Sequence, residues 1–348
     1  MPVKLVPHLA RYPWGHPTQV ATWLHDPTVG PAAEAWFGTH SLGPTGTETG
    51  STLAELLTQD PGFYLGSAGN SLPWLVKLLA ASEPLSLQVH PDATTAAARF
   101  AAGHASYKDP FAKPEVLVAL VPTDALIGFE DTDHVKARAQ ALGLPEFVEL
   151  LDLGAAGAAM ELWRDRDRSS RLSTRISSAP SRRLGAFAPI VSRWREDPYL
   201  AVALCLRLVH LAPGEAVEIP AGLIHAYLSG GGLEVMGASD NVLRGGLTNK
   251  PLDVDELLAV LDPAAEPRLL AAPASGRLDL SLLPAQVHHH TGSTPTTHPA
   301  PAMVWCQEGP LTLTSVAAME LSAGSAVFLP AAEGEFTLTG GSAWVITN

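Results

Sequence analysis

Apolar and polar positions alternate in short bursts along much of this chain, and turn residues separate the bursts. Residues 85–92, "LSLQVHPD", set Leu85 and Leu87 against Ser86 and Gln88, the period of a half-buried strand. "PEVLVALVP" (114–122) reads as a short buried strand bounded by prolines, while "PWLVKLLAA" (73–81) fits a helix or a buried strand equally. From 131 to 162 the spacing becomes helical, with Asp131 or Thr132 as N-cap and breaks at Gly143–Pro145 and Gly154. "DPYLAVALCLRLVHL" (197–211) starts as helix and turns to strand. Strands and turns follow to Asn249, with "SGGG" read as a turn, and "VDELLAVLDP" (254–263) is a short helix. Residues 264–348 return to strand–turn–strand spacing, which predicts a second β-barrel or sandwich. "LAPGEAVEIPAG" (211–222) and "LSAGSAVFLPAA" (321–332) share one pattern and read as a diverged internal repeat. The second copy lacks the histidine that follows the first.

Composition narrows the function classes. The chain has 348 residues, 46% of them hydrophobic and 16% charged, enough for two or three domains and incompatible with a disordered polymer. No apolar run has membrane-spanning length, and the first residues hold no signal-peptide core, so a cytoplasmic protein is expected. Two cysteines, Cys205 and Cys306, are too few for a disulfide framework or a cysteine-based zinc site. The net charge of −13 argues against nucleic acid as a partner. Nine of the sixteen arginines fall within 164–195, and that run is expected to be a solvated, mobile loop. Only six lysines occur, suited to serve as local anchors for an anionic ligand.

Candidate chemistry gathers in three blocks. "GEAVEIPAGLIHAY" (214–227) has the spacing G-x5-P-x-G-x2-H, the second motif of the cupin fold, in which a turn ends one strand and the next throws His225 into a barrel. Gln88 and His90 share a strand face. Glu115 opens an apolar strand, where an unpaired carboxylate is costly and a metal would relieve it. Gln88, His90, Glu115 and His225 then form a sulfur-free N2O2 set, suited to Zn²⁺ and also to Mn²⁺, Fe²⁺ or Co²⁺. In "LEVMGASDNVLRGGLTNK" (233–250), Glu234 lies on a strand after the "SGGG" turn, Arg244 follows a turn, and Lys250 ends the block. "HHH" (288–290) is expected to be a loop or a fortuitous surface metal site, because adjacent residues of a strand cannot all face one ion.

These blocks, with "YPWG" (12–15), "AEAWFGTHSLGP" (33–44) and "AKPEVLVAL" (112–120), resemble type I mannose-6-phosphate isomerases of the cupin superfamily over most of the chain. The resemblance implies a mainly β fold: a cupin jelly-roll catalytic domain (1–129 and 207–262), a small helical insertion (130–206) and a C-terminal cupin-like β-domain (263–348). It implies one divalent ion per chain, Zn²⁺ first, held by Gln88, His90, Glu115 and His225. Arg244 takes the position of the catalytic arginine. Ser86, Lys77, Lys113, Lys250 and Trp14 take substrate positions, and Glu234 an acidic position in the same pocket. The implied reaction interconverts mannose 6-phosphate and fructose 6-phosphate through a cis-enediol, supplying mannose metabolism and GDP-mannose synthesis, in a monomer. Glu234, Lys113 and a metal-held water stand open as the base. Two alternatives are another cupin metalloenzyme and a catalytically silent sugar-phosphate-binding cupin. The sequence departs from the family pattern at Phe111–Ala112, at Ala93 and at "LTNK".

Overall fold

The structure, a computed structural model, describes residues 1–348 except 68, 70, 272 and 273. The ambiguous run at 73–81 is the strand Trp74–Ala81, buried at every position. It lies between strands Glu34–Phe37 and His225–Gly237 in a ten-stranded antiparallel sheet. Both faces of that strand are covered, so its sequence shows no alternation. Leu79 and Ala81 join one apolar cluster, while Val76, Leu78 and Ala80 join another.

Two strands are longer than the prolines and glycines suggest. The strand expected to stop at Pro122 runs from Glu115 to Phe129. The "SGGG" expected to be a turn is internal to the strand His225–Gly237. The two departures have one cause. These strands pair along their length, and their register slips between Tyr227 and Gly232, opposite Ala119–Ala125. Proline is tolerated at such a bulge because no ladder donor is needed there. Glycine is needed there: Gly230 and Gly231 have φ of 84° and 141°. A Cβ on Gly231 would fall on the Leu79 carbonyl oxygen, and one on Gly232 on that of Val118. The bend lets one sheet curl around an interior lined by Leu79, Leu117, Ile127, Val217 and Tyr227, a cupin-like barrel.

Helices cover the barrel wall behind the "LSLQVHPD" strand. Asp131 is the N-cap of helix Thr132–Ala141, and helices Pro145–Leu150 and Gly154–Arg164 follow at the predicted breaks. The arginine-rich segment is not a loop. Helix Arg166–Ser177 occupies its first half and helices Ser181–Leu184 and Ala188–Arg193 the second. Ser169, Leu172, Ser173 and Ile176 are buried at helical spacing, with serines replacing half of the apolar stripe. Ser173 donates to the Pro198 carbonyl and accepts from the Ala201 N–H, which satisfies it inside the core. Leu87, Val89, Ile224, Ala226 and Leu243 back into this helical core.

The remaining strands form a seven-stranded and a four-stranded sheet whose facing residues share a core of Val304, Leu313, Val327, Phe336 and Val345. The strand Val3–Val6 also joins the seven-stranded sheet, pairing with Ala326–Leu329. The repeat is visible as matching turns: Gly214 and Gly324 have φ of 88° and 82°, each between a strand ending in Leu and one ending before Pro. "HHH" lies in the strand Gln286–Thr291, not in a loop. His290 is buried against Thr296 and the Gly340 carbonyl, and His289 stacks on Trp344 at 4.2 Å.

Candidate active site

A cavity of about 410 Å³ opens at one end of the barrel. Gln88, Glu115, Glu234, Arg244, Ser86, Lys77, Lys113, Lys250 and Trp14 all line it. Alternation accounts for most of this placement. On strand Leu87–Val89 and its flanks, Ser86 and Gln88 face the cavity, while Leu87 and Val89 face the helices. On strand Trp74–Ala81, Leu75, Lys77 and Leu79 face it. Along strand His225–Gly237, Tyr227 faces the cavity and so do Glu234 and Met236. Odd and even positions share a side here because the glycine bulge shifts the pleat by one residue between them.

His90 and His225 meet the Glu115 carboxylate from two sides. His90 Nε2 lies 3.2 Å from Oε1 and His225 Nε2 lies 3.3 Å from Oε2. The rings are oriented from behind: His90 Nδ1 is 2.8 Å from the Asn241 carbonyl oxygen and His225 Nδ1 is 3.0 Å from that of Leu223. A carbonyl only accepts, so each Nδ1 carries the proton. Burial pushes His90 down to about 4, against the pull of Glu115. The ring is therefore neutral near pH 7, and its Nε2 is a lone pair facing a carboxylate. His90 Nε2, His225 Nε2 and Glu115 Oε2 are buried with no hydrogen-bond partner among the described residues. Acceptors turned on acceptors in a dry site repel unless a cation lies among them. These three residues are the one grouping of His, Cys, Asp or Glu among the described residues whose ligand atoms could share an ion, all within 4.8 Å of one another. Gln88 lies opposite His225 and Arg244 in the strand ladder and adds an amide on the same side. The donor set fits a divalent ion of the Zn²⁺ type.

Charge is graded across the cavity. Lys113 Nζ binds Glu115 Oε1 at 3.0 Å. Burial would raise the Glu115 pKa, but Lys113 foremost holds it well below the ordinary carboxylate range. Lys77 stands between two buried carboxylates, 3.3 Å from Glu234 and 3.9 Å from Glu34. Burial works against the Lys77 ammonium, yet Glu34 and then Glu234 outweigh it and raise its pKa. Glu234 is raised above the ordinary glutamate value by burial, opposed by Lys77 and reinforced by Glu115. Arg244 and Lys250 have no side-chain hydrogen bond or ion pair among the described residues. They are close enough that Arg244 is the main cause lowering the Lys250 pKa.

Several lining residues were not singled out from sequence. Tyr227, buried beside Glu234, sits two residues after His225 and could have been found by alternation. Glu34 lies in the wholly buried strand "EAWF" and accepts from Trp36 Nε1 at 2.6 Å. The costly-carboxylate reasoning used for Glu115 applies to it equally. Arg193 and Trp194 reach the cavity from the helical region, and only the tertiary arrangement brings them there.

Residues 3–132 match the family model "Phosphomannose isomerase type I, catalytic domain". Mannose-6-phosphate isomerase of Escherichia coli (strain K12) is 31% identical over 97% of this chain and 97% of its own. The apo form of mannose 6-phosphate isomerase from Salmonella typhimurium superposes with a TM-score of 0.80 at 29% identity, covering 100% of this chain and 99% of that one. A mannose 6-phosphate isomerase structure bound with zinc and yttrium gives 0.76 at 27% identity, with coverage of 100% and 99%. With its strand-borne carboxylate, two histidines and facing arginine in a barrel of the same shape, this chain belongs to the type I phosphomannose isomerase family.

Proposed function

We infer that this chain is a metal-dependent isomerase that interconverts mannose 6-phosphate and fructose 6-phosphate. One observation carries the reading: three buried acceptor atoms, with no hydrogen-bond partner among the described residues, converge at Glu115 on the wall of a cavity that also bears Arg244 and Lys250, two cations with no ion-pair partner among the described residues. The first feature calls for a divalent ion and the second for an anionic ligand.

His90, Glu115, His225 and Gln88 would hold the ion, which when bound supplies Lewis-acid polarisation of the sugar oxygens at C1 and C2. Arg244 offers guanidinium donors to the same developing charge. Ser86 and Lys250 receive the phosphate by charge-assisted hydrogen bonds. The reaction moves a proton between C2 and C1. A base takes the C2 proton, the electron pair forms the C1–C2 double bond, and the carbonyl oxygen becomes the second enediol oxygen. O1 takes up the proton that O2 gives up, the carbonyl re-forms at C2, and the carbon proton returned to C1 completes the ketose. Glu234 suits this role better than Lys113. Burial raises its carboxyl above the ordinary glutamate range and Lys77 holds it in place, whereas the Lys113 ammonium is already bound to Glu115. Buried walls, with Trp14 and Tyr12 stacked 5.5 Å apart at the rim, keep bulk water from the enediol.

In this reading residues 1–129 and 207–262 are the catalytic unit, 130–206 an insertion and 263–348 a second β-domain. The enzyme works as a cytoplasmic monomer supplying mannose metabolism. No helix among the described residues is long and apolar enough to cross a membrane.

The deciding experiment is a coupled assay on mannose 6-phosphate with metal analysis of the same sample. About one divalent ion per chain is expected. Chelation should abolish turnover and zinc should restore it. A metal-free chain of full activity, or a metal-loaded chain with no turnover, sinks the reading.

A further inference from the structure

The arginine-rich segment contributes one residue to the cavity. Of the nine arginines between 164 and 195, Arg193 is the one that lines it. Arg193 ends helix Ala188–Arg193 and is fixed from two sides. Its Nε donates to Glu83 Oε2 at 2.6 Å, and its guanidinium stacks over the Trp194 ring at 4.7 Å. Trp194 is tied in turn by its Nε1, which donates to the Pro84 carbonyl at 3.1 Å. The Nη1 and Nη2 groups of Arg193 have no partner among the described residues, and the side chain is 39% exposed.

Strand register places this guanidinium relative to the site. Strand Leu243–Gly246 runs antiparallel to Leu87–Val89, with Arg244 opposite Gln88 and Gly246 opposite Leu87. Residues before Leu87 therefore lie beside those after Gly246. The Glu83–Ser86 segment that anchors Arg193 and Trp194 is thus at the Thr248–Lys250 end of the cavity, away from His90. That end holds Lys250 and Ser86, the groups assigned above to the phosphate. An arginine tethered through Nε alone presents its two Nη groups in the fork that suits two phosphate oxygens.

We propose that Arg193 is a substrate-binding residue that grips the phosphate of the sugar phosphate. The helical region thereby completes the anion subsite, with Glu83 and Trp194 holding the guanidinium in place. This rests on the isomerase reading and deepens it.

The test uses the full chain with zinc bound. Arg193→Met keeps the stem over Trp194 and removes the fork. It should raise KM for mannose 6-phosphate about 10-fold or more, with kcat within about 2-fold, because the phosphate is bound alike in ground and transition states. The inhibition constant of inorganic phosphate should rise in parallel, and Arg193→Lys should recover part of the loss. KM and phosphate inhibition both unchanged would overturn the assignment. So would a fall in kcat together with zinc content, which would make Arg193 a structural strut. Wild-type enzyme inactive on mannose 6-phosphate would instead overturn the isomerase reading, and inorganic phosphate binding by calorimetry would still decide Arg193: weaker binding to Arg193→Met supports the anion subsite and equal binding overturns it.

Discussion

Asn241 shows how far one residue can reach into a metal centre without touching it. Its main-chain carbonyl oxygen accepts the His90 Nδ1–H. Its amide nitrogen donates to the Asp109 and Phe111 carbonyls at 2.8 and 2.9 Å, and its amide oxygen accepts from the Lys108 N–H at 2.8 Å. One residue, 1% exposed, therefore ties the His90 ring to the segment leading into Lys113 and Glu115. Groups of this kind typically contribute 10–100-fold to metal affinity. Asn241→Ala keeps that main-chain carbonyl but removes the side-chain bonds that fix it, and should weaken zinc binding by about 10-fold, the lower end of that range, measured by competition with a chelator. Unchanged affinity would show that the ring holds its orientation without the clamp. The residue was legible in sequence only as part of a turn, "SDN", because its importance comes from bonds to residues 108–111, more than a hundred positions away.

At the scale of elements, the Gly230–Gly232 bulge does what no turn could. It lets one continuous strand carry His225 and Tyr227 in its first half and Glu234 and Met236 in its second, all toward the same interior. A regular strand would send Glu234 to the opposite face from His225, since nine residues separate them. Gly231 and Gly232 have the least room, because a Cβ at either meets backbone, that of Leu79 or of Val118, rather than a movable side chain. Gly232→Ala should cost several kcal/mol through overpacking and lost ladder bonds. The check is a denaturation midpoint in urea. A midpoint within error of the wild type would mean that the backbones can part without penalty. The helices act on the site in a second way. Trp163, fully buried, donates its Nε1–H to the Gly245 carbonyl at 2.6 Å and thereby braces the strand that carries Arg244. Arginines hid these helices from a reading by apolar period: helix Arg166–Ser177 buries two serines beside Leu172 and Ile176.

For the molecule as a whole, the C-terminal β-domain carries its own response to acid. His298 Nε2 and His290 Nδ1 both bond the Thr296 hydroxyl, at 3.0 and 2.8 Å, and His290 Nε2 reaches the Gly340 carbonyl at 3.1 Å. That chain is satisfied with both rings neutral. Burial, then His288 and His290, push His298 down to about 4. Burial also lowers His290 and His288. A histidine depressed in the folded state takes up its proton more readily when unfolded. Its contribution is therefore complete above about pH 6.5 and is lost as pH falls toward 4. Stability should decline across that window by up to about 1.4 kcal/mol per pH unit on account of His298. Urea midpoints at pH 7 and pH 5 measure the decline, and His298→Gln should flatten it. Equal slopes in the two proteins would remove His298 as the cause.

Local chemistry determined much of this protein in advance. The cupin-type turn before His225, the i, i+2 placement of Ser86, Gln88 and His90, and the costly carboxylate of Glu115 are properties of a few neighbouring residues, and they sufficed to point to a metal; the scarce lysines pointed to an anionic ligand, and the family resemblance made that ligand a sugar phosphate. Helix caps and breaks at Asp131, Gly143–Pro145 and Gly154 were equally local. The tertiary structure decided what depends on partners distant in sequence. Whether residues 73–81 are strand or helix turns on two neighbouring strands. Whether "SGGG" is a turn or a bulge turns on the Leu79 and Val118 backbones beside it. Whether the arginine-rich segment forms helices, and which of its arginines reaches the cavity, turns on the core it packs against and on Glu83. Burial and long-range pairing outweigh local propensity at those positions, because the free energy that selects their conformation comes from groups a linear pattern does not place together.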